Sequence, residues 1–235
     1  MRLVVAIVPP FEVRHELDRV VGAVTPGSTT RATDGSTGRR SSTATAGQHA
    51  ARRRRLFGRG RDQEPFASEL ASSPPHDELA RTPVDAMYVP IATIGQLTLG
   101  DSIALRSALR TSATTWERPT LGFTGGTALE WPSDRSVWAR LDGDLDRLQT
   151  VGKGVPEVVK RLALFVDRRQ FRPWLSVGTI TEQTTAPYLE DLVGALERFQ
   201  GSSWTQESFS LLKALPDVGS GSQYEVLEEL PLAAG

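Results

Sequence analysis

Apolar residues in this chain fall into short runs whose spacing alternates between that of a strand and that of a helix. Residues 2–8 (RLVVAIV) are continuous and largely β-branched, which suits a buried strand, and Pro9-Pro10 ends the run. Val13, Leu17, Val20 and Val21 then recur at helical spacing and predict a helix over 12–22. The run 87–95 reads as a strand, with Pro90 placing it at a sheet edge or at a break in the ladder. A helix over 101–110 follows, carrying Ile103, Leu105 and Leu109, with Asp101 as its N-cap. Residues 118–124 and 135–141 read as two strands joined by a turn that contains Gly and Pro.

From Asp144 onward, Leu145, Leu148, Val151, Val155, Val158, Leu162 and Phe165 fall every three or four residues. Gly152, Gly154 and Pro156 are expected to break or kink that helix. Residues 171–177 (FRPWLSV) alternate across Leu175 and Val177, a strand entered from a bend at Pro173. A helix over 184–199 carries Leu189, Leu192, Val193 and Leu196, and two last strands, 204–215 and 224–232, flank a Gly-Ser turn. This order predicts an α+β fold: antiparallel sheets with helices packed outside, in two similar lobes.

One interval lacks any such pattern. Residues 25–75 are rich in Ser, Thr, Gly, Ala and Arg and cannot bury enough apolar surface to offset their ordering entropy. They are expected to be a disordered insertion within a single domain spanning 1–235, since lengthening a surface loop costs little. Within 27–65, nine arginines face three acids, a net +6, which leaves the rest of the chain at −7. The basic block Arg52, Arg53, Arg54, Arg55, Arg59 and Arg61 reads either as a solvated loop or as a non-specific binder of nucleic acid or acidic lipid.

The remaining composition mainly excludes. Without cysteine there is no disulfide framework, thiolate metal site or cysteine nucleophile. No stretch approaches the roughly 18 to 20 apolar residues of a membrane span. Glu12 and Glu16 follow the apolar start closely, which argues against a cleaved leader. A soluble, cytoplasmic monomer without cofactor or metal is the expectation. His15, His49 and His76 read as surface residues, and no Gly-rich phosphate loop or nucleophile-elbow motif occurs.

The FRPWLSV strand resembles the second signature of the 2H phosphoesterases, the family of 2'-5' RNA ligase-like cyclic phosphodiesterases, whose pattern is F-x-P-H-x-[ST]-hydrophobic. Phe171, Pro173, Ser176 and Val177 fit it, and Trp174 stands at the histidine. Gly125-Gly126, the stretch 137–148 (VWARLDGDLDRL) and the closing 224–232 (YEVLEELPL) resemble actinobacterial members. For the first signature, H-x-[ST]-hydrophobic, two registers compete. One puts Tyr88 at the histidine and Pro90 at the hydroxyl; the other puts Gln96 at the histidine and Thr98 at the hydroxyl. The first is preferred because the following helix then keeps its customary distance. Neither register contains a histidine.

The resemblance implies two pseudo-symmetric lobes around a central cleft. There two histidines would serve as general base and general acid at a cyclic phosphate, with Ser or Thr hydroxyls on the phosphate oxygens. It also implies RNA or a phosphate-bearing nucleotide as ligand. Imidazole suits proton transfer because its pKa lies near neutrality. An indole N–H only donates, and a phenol with a pKa near 10 is a poor base. General acid–base groups contribute about 10²- to 10⁴-fold each, and paired groups fail together. The first expectation is therefore a catalytically degenerate binding module with Tyr88, Trp174 and Ser176 at its cleft. The two rings read either as stacking platforms or as core that fills the emptied cleft, and Ser176 either as a phosphate donor or as an ordinary strand residue. A working phosphoesterase using Tyr88 or Ser176, and a scaffold that binds through the arginine block, are the alternatives.

Overall fold

The computed structural model describes residues 2–24, 78–131, 134–167, 171–215 and 224–234. The insertion 25–75, and with it Arg52 to Arg61 and His49, lies outside the described residues, as does His76. Residues 1–28 and 76–235 belong to one compact unit.

β1 (Arg2–Ile7) leads into α1 (Phe11–Ala23), and β2 (Leu79–Arg81) is followed by a 3-10 turn (Val84–Ala86). β3 (Val89–Gln96), α2 (Leu99–Ala113), β4 (Thr120–Trp131), β5 (Asp134–Gly143) and α3 (Leu145–Arg161) come next. β6 (Trp174–Ile180), α4 (Ala186–Arg198), β7 (Trp204–Thr205), β8 (Ser208–Ala214) and β9 (Tyr224–Pro231) complete the order. The strands form two sheets, β3-β1-β8-β9 and β2-β6-β5-β4-β7, in which every neighbouring pair is antiparallel. Among the described residues, four helices pack against these two antiparallel sheets, the α+β arrangement expected from the sequence.

Period-two alternation assigns each strand residue to the covered or the uncovered face. On the first sheet, Leu3, Val5, Ile7, Val89, Ala92, Ile94, Phe209 and Leu211 join the main core with Leu105 and Leu109 of α2 and Val155 of α3. On the second, Phe123, Val137, Ala139, Leu141, Leu175 and Val177 join it with Leu189, Leu192 and Leu196 of α4. The residues between them start from the opposite face, although the long Arg140 side chain still reaches Glu197 of α4. β3 is an edge strand, and its register with β1 slips between Val5 and Ala6, where Ala92 and Pro90 are the partners. A proline can sit there because it leaves no central ladder bond unmade.

Several expectations are corrected. α2 begins at Leu99, with Thr98 as N-cap; Asp101 is the reciprocal partner in a capping box, not the cap. Ile103 is 59% exposed, and the buried stripe runs through Ser102, Leu105, Leu109 and Ala113. α3 runs unbroken through Gly152, Gly154 and Pro156. Its glycines serve close approach: a Cβ at Gly152 would lie 2.4 Å from the Phe171 ring, and one at Gly154 2.5 Å from Trp116. This packing outweighs the local cost of Gly and Pro. The helix nevertheless stops before Phe165. Ala163 takes a positive φ of 54°, and Phe165, 71% exposed, belongs to a segment whose backbone bonds β3. β4 continues through Gly125-Gly126 to Trp131, so the strand predicted over 118–124 runs well beyond that bound. Finally, 204–215 is not one strand: β7 pairs with β4 in the second sheet, and β8 pairs with β1 and β9 in the first.

Candidate functional site

Two clusters of side chains occupy the uncovered faces. On the first sheet, Val4, Ala6 and Leu212 form a small apolar floor on which Val8, Tyr88 and Tyr224 pack. Ala6 pairs with Pro90, so Pro90 shares this face. The Tyr88 and Tyr224 rings meet edge to face with centroids 5.3 Å apart, an arrangement favoured by the ring quadrupoles. Burial pushes the Tyr88 phenol above its ordinary value, with the Arg2 guanidinium pulling weakly the other way. Burial also raises Tyr224, Arg14 opposes that, and Tyr88 and Asp85 add to it. Both phenols are thus held neutral and further from service as a base than free tyrosine.

On the second sheet, β6 presents Trp174 and Ser176 opposite Arg140 and Trp138 of β5. The Trp138 and Trp174 ring centroids are 6.5 Å apart, and the Arg172 guanidinium lies 4.9 Å over the Trp174 ring, within cation–π range. Arg140 is placed by a bulge in β4. Gly125, at φ 73°, lets the guanidinium approach so closely that a Cβ there would lie 2.3 Å from Nη2. That Nη2 donates to Glu197 Oε1 at 2.7 Å. Trp138 Nε1 and Arg140 Nε are buried and have no acceptor. Each such donor costs about 1–3 kcal/mol of desolvation that nothing in the fold repays.

The residues singled out in the sequence separate into three groups. Tyr88 stands on the uncovered face of the first sheet, while Trp174 and Ser176 stand on that of the second; no ring contact joins Tyr88 to Trp174. Gln96 ends β3 and is exposed. Thr98 is engaged as a helix cap, its hydroxyl 2.7 Å from Asp101 Oδ2. The arginine block lies outside the described residues. Sequence reasoning passed over Trp138, Arg140, Arg172 and Tyr224. The signal for the first two was the alternation of SVWARLD, in which Val137, Ala139 and Leu141 point to the core and leave Trp138 and Arg140 opposite. Among the described residues, no group of three or more His, Cys, Asp or Glu side chains is arranged to hold a metal ion. No described helix is long and apolar enough to cross a membrane.

Solved structures define the fold. The chain has the fold of the 2'-5' RNA ligase-like phosphoesterases, the class its sequence resembles. Thermus thermophilus TT0787 superposes with a TM-score of 0.62 at 15% identity, over 100% of this chain and 99% of that one. E. coli LigT complexed with 3'-AMP gives 0.59 at 14% identity, over 98% and 97%. A phosphoesterase gives 0.57 at 16% identity, over 99% and 98%. No protein-family model and no curated protein sequence matches the chain.

Proposed function

We propose that this protein binds a phosphate-bearing nucleotide or RNA end in its cleft without turning it over. The observation that carries this reading is the pair of residues at the two signature positions. Tyr88 is a phenol raised by burial, packed on a second tyrosine and an aliphatic floor. Trp174 is an indole that can stack and donate but cannot accept a proton. Neither can take up a proton near neutral pH, so the pair lacks the general base of the two-histidine mechanism. The face around Trp174 keeps what recognition needs: aromatic rings, two guanidiniums and the Ser176 hydroxyl. LigT, of the same fold, has been crystallised with 3'-AMP, NADP+, ATP and phosphate, which supports nucleotides as the ligand class.

The test is a pair of measurements on the full chain. A 2',3'-cyclic nucleotide should survive prolonged incubation, while a nucleoside 3'-monophosphate should bind and quench tryptophan fluorescence. Turnover abolished by Tyr88→Phe or Ser176→Ala would replace this reading with that of an active phosphoesterase using those hydroxyls.

A further inference from the structure

Four side chains on β5 and β6 form a two-by-two block on the uncovered face of the second sheet. Trp138 lies opposite Ser176, and Arg140 lies opposite Trp174. Directly opposed residues on one sheet face stand close enough for their side chains to share a ligand. Two of the three unpartnered buried donors among the described residues, Trp138 Nε1 and Arg140 Nε, belong to this block. The Arg140 guanidinium is anchored by Glu197 through Nη2, so its Nε is unmet while its position is fixed. The block is rich in donors and poor in acceptors: indole and guanidinium can only donate, and the Ser176 hydroxyl alone among its members can do either. An oxyanion, with several lone pairs and a charge for the guanidinium, suits such a set better than a single carbonyl.

Resting on the binding reading above, we infer that the ligand's phosphoryl group is held by the second sheet alone, on Trp138, Arg140 and Ser176, and that its base stacks on Trp174. The first sheet contributes an apolar wall. Two of these positions, Trp138 and Arg140, lie outside the signature tetrapeptides. The two orphan nitrogens are shielded from solvent, so an acceptor reaches them when a neighbouring side chain moves. Arg172 is exposed and lies 4.9 Å over Trp174; its swing uncovers the ring for the base.

Calorimetric titration of the full chain with adenosine 3'-monophosphate, adenosine and inorganic phosphate tests this. Trp138→Phe keeps a ring and deletes only the N–H; Arg140→Gln removes the charge. Each should weaken adenosine 3'-monophosphate by about tenfold while changing adenosine by less than about twofold, the loss of a charge-assisted hydrogen bond. Glu197→Gln, which frees the guanidinium, should leave that affinity unchanged or raise it. If it instead loses affinity as Arg140→Gln does, Arg140 acts as scaffolding and its assignment falls. If adenosine 3'-monophosphate binds the unaltered chain and both variants equally, the placement on the second sheet is wrong although the cleft still binds. If none of the three probes binds the unaltered chain, the binding reading itself fails.

Discussion

On the first sheet, the uncovered face is closed by two phenols that pack on each other and on Val4, Ala6 and Leu212. On the second, two indoles and two guanidiniums are gathered with donors that the protein does not satisfy. The first is arranged as a core is arranged, with apolar contact and neutral groups. The second keeps buried polar atoms unmatched, which folding alone would not select. The two residues read at the signature positions thus stand in different surroundings. Tyr88 packs on apolar side chains and a second phenol, and Trp174 lies beside an indole and guanidiniums with unmet donors.

The largest effects should come from the tyrosine face. Tyr224→Ala removes the edge-to-face partner and part of the apolar cover, and should cost about 2–3 kcal/mol in chemical denaturation, below the full large-to-small range because the ring is half-buried. Trp138→Phe on the opposite sheet should be nearly neutral in the same assay, since it deletes an unsatisfied donor. Equal costs at the two sites would erase the contrast. Alkali offers a second reading of it. Both Tyr88 and Tyr224 are raised by burial, so the stability that they contribute is intact below the ordinary tyrosine value and is lost as pH rises through their folded values. Spectrophotometric titration should show two phenols ionising late and together with unfolding.

A smaller effect belongs to the outer side of the first sheet. Glu228 of β9 accepts from Arg106 and Arg110 of α2. Burial pushes its carboxyl up, but hydrogen bonds and charge from the two arginines outweigh this and hold it below the usual glutamate value. The contribution is therefore complete above the unfolded glutamate value and disappears as pH falls through the folded one. Glu228→Gln should cost about 1 kcal/mol at neutral pH, since both arginines are substantially exposed, and should flatten the acid limb of the stability profile. Smallest of all should be Thr98→Ala. It removes a cap and slightly lowers thermal stability, and it leaves nucleotide affinity alone. A loss of affinity there would revive the register that puts Gln96 and Thr98 in the cleft.

Much of the fold was legible because alternation and helical spacing are enforced by burial. Val137, Ala139 and Leu141, or Leu189, Leu192 and Leu196, point to the core as their spacing says. The failures share a cause in tertiary contact. Local propensity breaks α3 at Gly152, Gly154 and Pro156, yet the Phe171 and Trp116 rings need the two glycines and the helix runs on. Asp101 reads as the cap of α2, but the threonine three residues before it takes that place and Asp101 closes the box from within the first turn. The block around Trp138 escaped notice for another reason. Its members come from two strands far apart in sequence, and an unmet donor becomes visible only when every neighbour is in place.

β7 ends at Thr205 in one sheet and β8 begins at Ser208 in the other, with Gln206 buried between them and bonded to both the Trp204 indole and the Ser208 carbonyl. So short and internally fastened a tether gives the lobes little room to gape like a jaw. On the binding reading proposed above, a ligand would then enter by rearrangement of side chains at the rim instead of by separation of the lobes.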